Sequence, residues 1–399
     1  MIPAVILSTH TMGLAVIRSL GNFGIPLLAL TYNMVDMGQV SKYVKRIVKM
    51  PHPENESDHF IAKLLRLGKS LNRSVLIPAD DATVVTVSKN KKILEEYFTV
   101  ACPDWETAKK FIIKKYTYQI AEAEGIPIPY TIFPDYVEEA KIYSKCVSYP
   151  CLVKPFESHK YFELFNRKMS IVNNPNDLVK QVESSLLNKL PVMLQEIIPG
   201  DETDGINYNS YRAEGKLIQD CYAQKVRLSC NGYGVPVVVK SIGSVPKVAG
   251  YTEKLLNNMD FNGFSCTEFK LDRRDNRFKL MEINGRHNRS ALLAVESGIN
   301  FPFIEYNHLV NNNLSAPVKY KTGIYWIDEF KDFEKFYDRI FKEKYKFMDF
   351  LEPYINPHVF AVGSINDPAP FIKRLGDAFK LFSIKSKRRE KDKQYDFQP

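Results

Sequence analysis

Met281-Glu282-Ile283-Asn284-Gly285-Arg286 sets a carboxylate, an amide and a guanidinium at alternate positions. In a β-strand alternate side chains share one face, so Glu282, Asn284 and Arg286 are expected to point into one cleft. Two oxygen donors followed by a fixed cation suit a hard metal and an anion that it carries, such as Mg²⁺ with a nucleotide phosphate. Just upstream, Phe264–Asp272 and Arg277–Asn284 read as two strands joined by the turn Arg273-Arg274-Asp275-Asn276. If that turn centres on Asp275, antiparallel register sets Glu268 opposite Glu282, to within one residue of slippage. Opposed carboxylates destabilise a sheet unless a cation lies between them. A solvated hairpin edge would avoid the problem, but Phe269, Leu271, Leu280, Met281 and Ile283 make these strands partly buried, and buried like charges need a partner.

Further from the hairpin, weaker signals accumulate. Lys154 ends the apolar strand Pro150–Pro155, where it reads either as a grip for an anion or as a snorkelling surface lysine. Gln195-Glu196-Ile197-Ile198-Pro199-Gly200 ends the strand Val192–Ile198 in an acid and a turn, whose free backbone groups suit the edge of a flat heterocycle. Lys225 and Arg227 are expected on one face of a strand, as are many solvated pairs. The segments Asn207–Arg212, Leu217–Arg227 and Pro236–Ile242 read as antiparallel strands, Phe111–Glu124 as a helix closed by Gly125, Thr252–Met259 as a short helix, and Ser290–Gly298 as another.

The first ~115 residues alternate differently. Short apolar runs at Ala4–Ser8, Ile25–Leu30 and Val75–Pro78 are separated by helical patterns at Thr11–Phe23 and after Asp80-Asp81. That alternation predicts a parallel, doubly wound sheet. Ligands in such sheets bind at the strands' carboxyl ends, where Ser8-Thr9-His10 and Asp80-Asp81 fall. His10 and the two aspartates read equally well as substrate contacts and as helix caps. No GxGxxG is present, which disfavours a nicotinamide cofactor.

Composition excludes several classes. With 399 residues, 45% hydrophobic and 25% charged, the chain is ordinary for a globular protein of two or three domains. No apolar run reaches the roughly 18 residues of a membrane helix. The start, Met1–Leu7, has no basic leader and reads as a strand. Six scattered cysteines form no CxxC pair, so reduced thiols in a cytoplasmic protein are expected and zinc is not. The net charge of +9 is spread along the chain except for Lys385, Lys387, Arg388, Arg389, Lys391 and Lys393 near the C-terminus. With no nucleic-acid-binding motif, a solvated tail is the simpler reading.

Together and in this order the motifs resemble the ATP-grasp ligases from about Phe111 to Asn311: a lysine ahead of a helix ending in Gly-Ile-Pro, a Val-Lys-Pro strand, a Gln-Glu strand closing in Pro-Gly, an acid-bearing strand, and Glu-x-Asn-x-Arg. The domain before it resembles their pre-ATP-grasp domain. The resemblance implies an N-terminal doubly wound α/β domain (1–112), an ATP-grasp fold of two α+β subdomains clamping ATP (113–312), and a small C-terminal extension with a basic tail (313–399). Lys115 and Lys154 would hold ATP phosphates. Gln195, Glu196 and the backbone at Ile197-Ile198 would meet the adenine, and Glu202 or Asp204 the ribose. Lys225 and Arg227 would lie near the phosphates or substrate. Glu268, Glu282 and Asn284 would hold Mg²⁺ (or Mn²⁺), and Arg286 would stabilise an acyl-phosphate and the charge that develops on it.

Two features depart from the family pattern. Phe156–Ser170 stands where a glycine-rich lid is usual, yet contains no glycine, only residues such as Phe156, His159, Lys160, Tyr161, Phe162, Arg167 and Lys168. The usual proline after the asparagine is Gly285, and His287-Asn288-Arg289-Ser290 follows. This variant is most similar to carboxylate–amine ligases of the D-aspartate-ligase-like group. The implied reaction phosphorylates a small carboxylate and joins it to an amine, with Arg286, Arg289 and His287 facing the acid and His287 as a candidate base. Rival readings are a bicarbonate-activating carboxylase or carbamoyl-phosphate-type subunit, and an inactive nucleotide-binding scaffold. The aromatic segment Tyr325–Phe350 is a candidate homo-oligomer interface.

Overall fold

The computed structural model describes residues 1–380 other than 34–35, 72, 157–160, 162–163, 166–168, 231–232, 315 and 344. The first sheet is built from β1 (Ala4–Leu7), β2 (Leu27–Thr31), β3 (Val44–Lys49), β4 (Ser74–Pro78) and β5 (Phe98–Val100), all parallel, in the order β3-β2-β1-β4-β5. Its central strands β1, β2 and β4 are buried along their whole length, as a sheet covered by helices on both faces requires. The sequence reading missed β3, because this edge strand is mostly exposed and reads Val-Lys-Arg-Ile-Val-Lys. The direction of winding reverses between β1 and β4. Ser8-Thr9-His10 and Asp80-Asp81 therefore sit at the switch point, where the crevice of a doubly wound sheet opens.

A small sheet follows, β6 (Thr131–Ile132), β7 (Cys151–Pro155), β8 (Ser170–Val172) and β9 (Val192–Glu196), in the order β6-β9-β7-β8. Helices Val137–Cys146 and Pro175–Leu187 contribute to its core through Ala140, Tyr143, Leu178 and Val182. The largest sheet has seven strands: β10 (Gly205–Ala213), β11 (Lys216–Cys230), β12 (Tyr233–Ile242), β13 (Gly263–Asp272), β14 (Arg277–Asn284), β15 (Tyr325–Ile327) and β16 (His358–Phe360). Their order is β14-β13-β10-β11-β12-β15-β16. Residues 313–399, expected as a separate extension, thus supply two strands of the main sheet. Three-residue strands are too short for a period-2 signal, which is why the sequence hid them.

The C-terminal segment is also fastened to the first domain. The Asp367 carboxylate, almost fully buried, accepts from Arg18 Nε at 3.0 Å, Ser41 Oγ at 2.8 Å and the Lys42 backbone N–H at 2.9 Å. A shared apolar core runs through Leu14, Leu292, Leu293, Trp326 and Ala361. The helix expected over Phe111–Glu124 is two helices, Trp105–Ile112 and Lys114–Ala123, interrupted at Ile113 by an extended residue (φ −94°, ψ 102°). Among the described residues no helix is long and apolar enough to cross a membrane. The lid segment 156–170 and the basic tail lie largely or wholly outside the described residues; Tyr161, within the former, is buried in the small sheet's core.

Candidate active site

The β13–β14 hairpin sets Glu268 opposite Glu282 and Asn284 opposite Cys266, as expected, but the turn-side pairs from Asp272–Arg277 to Phe269–Leu280 are offset by one residue, and the extra residue Met281 restores the expected pairing. Beneath it Phe269, Leu280 and Ile283 pack into a core with Phe111 and Phe261, which fixes the polar face toward the cleft. The Asn284 amide nitrogen lies 3.3 Å from Glu268 Oε1 and 3.4 Å from Glu282 Oε1. The outer oxygens are taken by ammonium groups, Lys225 on Glu268 Oε2 and Lys114 on Glu282 Oε2 at 3.1 Å. Burial pushes the Glu268 carboxyl up, with Lys225 opposing and Glu282 reinforcing the shift. Lys114 holds Glu282 well below the ordinary carboxylate range. Two acids facing each other have thus gathered two cations and an amide donor, the response expected of a site that needs positive charge between its carboxylates.

That donor set fits a hard cation. Among the described residues no three His, Cys, Asp or Glu side chains are grouped to hold a metal, so most of its coordination would come from phosphate and water, the usual Mg²⁺ arrangement. Glu268 and Glu282 supply the two charged oxygens. Asn284 would have to turn its amide over, because its oxygen now accepts from Arg286 Nη2 at 3.1 Å. Arg286 itself is held bidentately by Asp81 of the first domain, at 2.7 and 3.0 Å. Asp81 therefore positions the guanidinium, whereas Asp80 caps the helix Asp81–Lys89 through Thr83.

From this hairpin a cleft of about 390 Å³ runs between the small and large sheets. Leu152, Ile171 and Met281 give it apolar walls, and Lys114, Lys154 and Lys225 stand along it. Lys154 donates to Gln195 Oε1 at 2.8 Å, and Gln195 in turn donates to Tyr118 and Thr131. Burial, helped by nearby Lys114, pulls the Lys154 ammonium down to about 7.

Several expected residues stand elsewhere. Lys115 does not line the cleft, whereas Lys114 does; the break at Ile113 makes Lys114 the first residue of its helix and turns it inward. The Glu196 carboxylate accepts from Tyr130 N, Lys279 and Arg274, so its charge is spent inside the protein; Ile197 and Ile198 line the cleft, and the Ile198 carbonyl accepts from Lys270 at 3.0 Å. Asp204 is clamped by Arg273 at 2.9 to 3.0 Å outside the cleft lining, whereas Glu202 lines it and accepts from the Leu228 backbone at 3.0 Å.

Arg227 is the largest correction. Lys225 pairs with Val239 but Arg227 with Val238, so Val226 is an extra residue in the strand. Cross-strand partners share a face and adjacent residues do not, so the bulge sends Arg227 to the side opposite Lys225. There it is fully buried against Asp332, at 2.9 and 2.6 Å. His287 is also displaced from its expected role. It is 2% exposed, lies beside the Phe264 ring, and its Nε2 is 2.9 Å from Glu305. It borders a separate cavity of about 290 Å³ beyond Gly285. Gly285 itself is dictated by packing: a Cβ there would come within 2.5 Å of the Phe111 ring.

No family model matches the chain. It is 25% identical over 295 residues to the D-aspartate ligase of Enterococcus faecium (strain Aus0004), covering 64% of this chain and 68% of that one. Like the solved structures it resembles, the chain has an ATP-grasp fold. Its fold is similar to that of the biotin carboxylase domain of Hydrogenobacter thermophilus 2-oxoglutarate carboxylase in complex with MgADP and bicarbonate (TM-score 0.63, 16% identity, 82% of this chain and 73% of that one). The L-amino acid ligase of Bacillus licheniformis is also similar (TM-score 0.60, 14% identity, 78% and 74%). So is the ADP complex of Staphylococcus aureus N5-carboxyaminoimidazole synthetase (TM-score 0.61, 12% identity, 80% and 80%). The chain therefore combines this fold with a cleft whose charged end is built by β13 and β14.

Proposed function

We propose that this ligase phosphorylates a small carboxylic acid with ATP and couples the acyl-phosphate to an amine, releasing ADP and phosphate. The observation that carries the reading is the convergence of Glu268, Glu282, Asn284 and Arg286 at one end of a cleft lined by four lysines, Lys114, Lys154, Lys225 and Lys270. Adenine would lie between Leu152, Ile171 and Met281 with its edge along Ile197-Ile198. Lys114 and Lys154 would meet the phosphates. Bound Mg²⁺ would neutralise charge on the β- and γ-phosphates, and Glu268, Glu282 and Asn284 are the residues that would hold it.

The substrate carboxylate would approach from the first domain's strand ends and attack the γ-phosphorus, with ADP departing toward the lysines. Arg286 has five N–H donors; Asp81 and the His287 carbonyl engage three, and a fourth meets the Asn284 oxygen until that amide turns over to hold a metal. The fifth, on Nη1, is available to the acyl oxygen as charge builds on it during amine attack. No histidine base is required in this scheme, consistent with His287 being turned to Glu305.

Homology to a D-aspartate ligase favours amide formation over bicarbonate activation, which rests on fold similarity alone. An ADP-release assay crossing amino acids and small dicarboxylates with amines tests the reading, with Glu282→Gln as the blank. Acid- and amine-dependent ADP release is expected. Release stimulated by bicarbonate alone would move the assignment to a carboxylase, and Mg-ATP binding without turnover to a scaffold.

A further inference from the structure

The exposed apolar side chains of this molecule gather near one end of the chain. Of the 26 large hydrophobic residues exposed among the described ones, ten lie between Phe333 and Phe379, well beyond an even spread. An open groove of about 880 Å³ is walled there by Phe330, Phe333, Tyr354, Phe371 and Leu375. Ile365 also lines it, yet stands fully exposed in a turn. Ring contacts carry the apolar surface onward: Phe333 stacks on Phe336 at 5.9 Å, and Phe336 meets the half-exposed Phe347 at 6.5 Å. Among the described residues Glu329 is the one acid lining the groove. It accepts from the Gly363 backbone and burial pushes it up to about 7, so only part of its charge remains at neutrality. A face of this kind exceeds what a monomer ordinarily leaves uncovered and marks a docking surface.

The charge beside the groove indicates its occupant. The helix 369–380 lines the groove with Phe371 and Leu375 and exposes Ile372 and Phe379. Leu375 and Lys380 are five helical residues apart, about 7.5 Å, and Lys385, Lys387, Arg388, Arg389, Lys391 and Lys393 follow in the sequence. The basic segment is therefore tethered at the groove's edge. From Glu329 to Lys380 nine cations balance nine acids (9 − 9 = 0), whereas beyond Lys380 six cations meet three acids (6 − 3 = 3). Folding the segment back onto this face would leave its surplus unmatched. A second copy packed through the groove would bring two such segments together, and like charges oppose that. An anionic lipid surface answers both features, because its acyl boundary takes apolar groups and its headgroups take cations.

We propose that this face docks on an anionic membrane surface, with Ile365 and Phe379 entering the acyl boundary and the basic segment 385–393 meeting the headgroups. Neither signal alone anchors a protein firmly, and the two together do. The place on the sheet leaves the nucleotide cleft clear. Phe360 of β16 lines the groove, and β16 is the edge strand opposite β14. Six strand spacings, roughly 29 Å along the sheet, separate the docking face from the metal-binding hairpin. The inference is thus independent of the reaction proposed above.

Vesicle co-sedimentation of the full chain tests it, with equal parts phosphatidylglycerol and phosphatidylcholine against phosphatidylcholine alone. The protein should pellet with the anionic vesicles and stay in solution with the neutral ones, and added salt should weaken the binding. Lys385→Gln, Lys387→Gln, Arg388→Gln and Arg389→Gln combined should weaken it about a hundredfold or more. Ile365→Ser should weaken it about tenfold. Both variants should keep the wild-type Tm, since Ile365 is fully exposed. Equal binding to both vesicle types, binding to neither, or full binding by either variant would overturn the proposal. Stronger vesicle binding by the fourfold variant would show that the basic segment itself covers the groove, and overturn it too. Analytical ultracentrifugation without lipid reads the remaining rival: a dimer that Ile365→Ser dissociates would give the groove to a second copy and reject the membrane.

Discussion

The two ends of the β13–β14 hairpin carry similar residues to opposite effect. At the turn, Asp272 is fully buried and its carboxylate is shared by Arg274, at 2.6 Å, and Lys279, at 2.7 Å, both of which also reach Glu196. Every acid there has its cation and the network is closed. At the open end Glu268 and Glu282 also have lysine partners, but Lys114 and Glu282 are about two-fifths exposed to the cleft, and the inner oxygens meet only an amide. One ribbon thus shows how a charge cluster serves structure when its valences are filled and chemistry when some are left open to a ligand.

The sharpest way to break this comparison is Glu282→Gln. It should reduce ADP release about a thousandfold while the Tm stays close to wild type, because the side chain is partly exposed and its lysine partner can turn to water. Full activity would remove the metal assignment. At the other end, Asp272→Asn leaves Arg274 and Lys279 without their shared acid. It should cost about 3 kcal/mol of stability in chemical denaturation, the low end for a broken buried pair because Arg274 is partly exposed. Arg274 holds the Asp272 carboxyl far below its ordinary value. Its contribution is therefore fully present above the unfolded-state value near 4 and is lost as pH falls through that value and below. The acid limb of the stability curve should be flatter in Asp272→Asn than in the wild type.

Gly285→Ala sharpens the contrast by moving the open end alone. The added methyl meets the Phe111 ring, which should cost about 1–3 kcal/mol and lower kcat, since Asn284 and Arg286 flank the displaced residue. An unaltered Tm would refute the packing argument. The smallest effect is expected at Lys154, whose substitution by alanine should weaken ATP binding about tenfold, or ~1.4 kcal/mol. In the free cleft this ammonium is held down to about 7, so wild-type affinity for Mg-ATP should decline as pH rises above 7, and the decline should be absent in Lys154→Ala. Isothermal titration at several pH values reads both.

The pairing of Glu268 with Glu282 was legible to within one residue because side chains in strands repeat every two residues and the turn was marked by polar residues; the extra residue at Met281, which brings the two acids into line, was not. The parallel first sheet was legible for a different reason, the short and mostly apolar runs of β1, β2 and β4 set between helical patterns. Arg227 was misplaced because a β-bulge at Val226 has no signature in composition, and its partner Asp332 lies 105 residues away. Lys115 was chosen over Lys114 because a helix break at Ile113, which is neither glycine nor proline, cannot be seen in a continuous amphipathic pattern. Glu196 looked free because the cations that consume it, Arg274 and Lys279, arrive from a distant hairpin. Local periodicity predicts faces, but the pairing of charges brought together from far apart in the chain must be observed.

The buried knot at Asp367 has a mechanical consequence. By tying the end of the chain to Arg18, Ser41 and Lys42, it rivets the first sheet and the seven-stranded sheet into a single anvil. The lobe of β6 to β9 is hinged to that anvil at Glu196, which Arg274 and Lys279 hold, so a swing of the lobe should pivot there and move Lys154 while Glu268 and Glu282 stay in place.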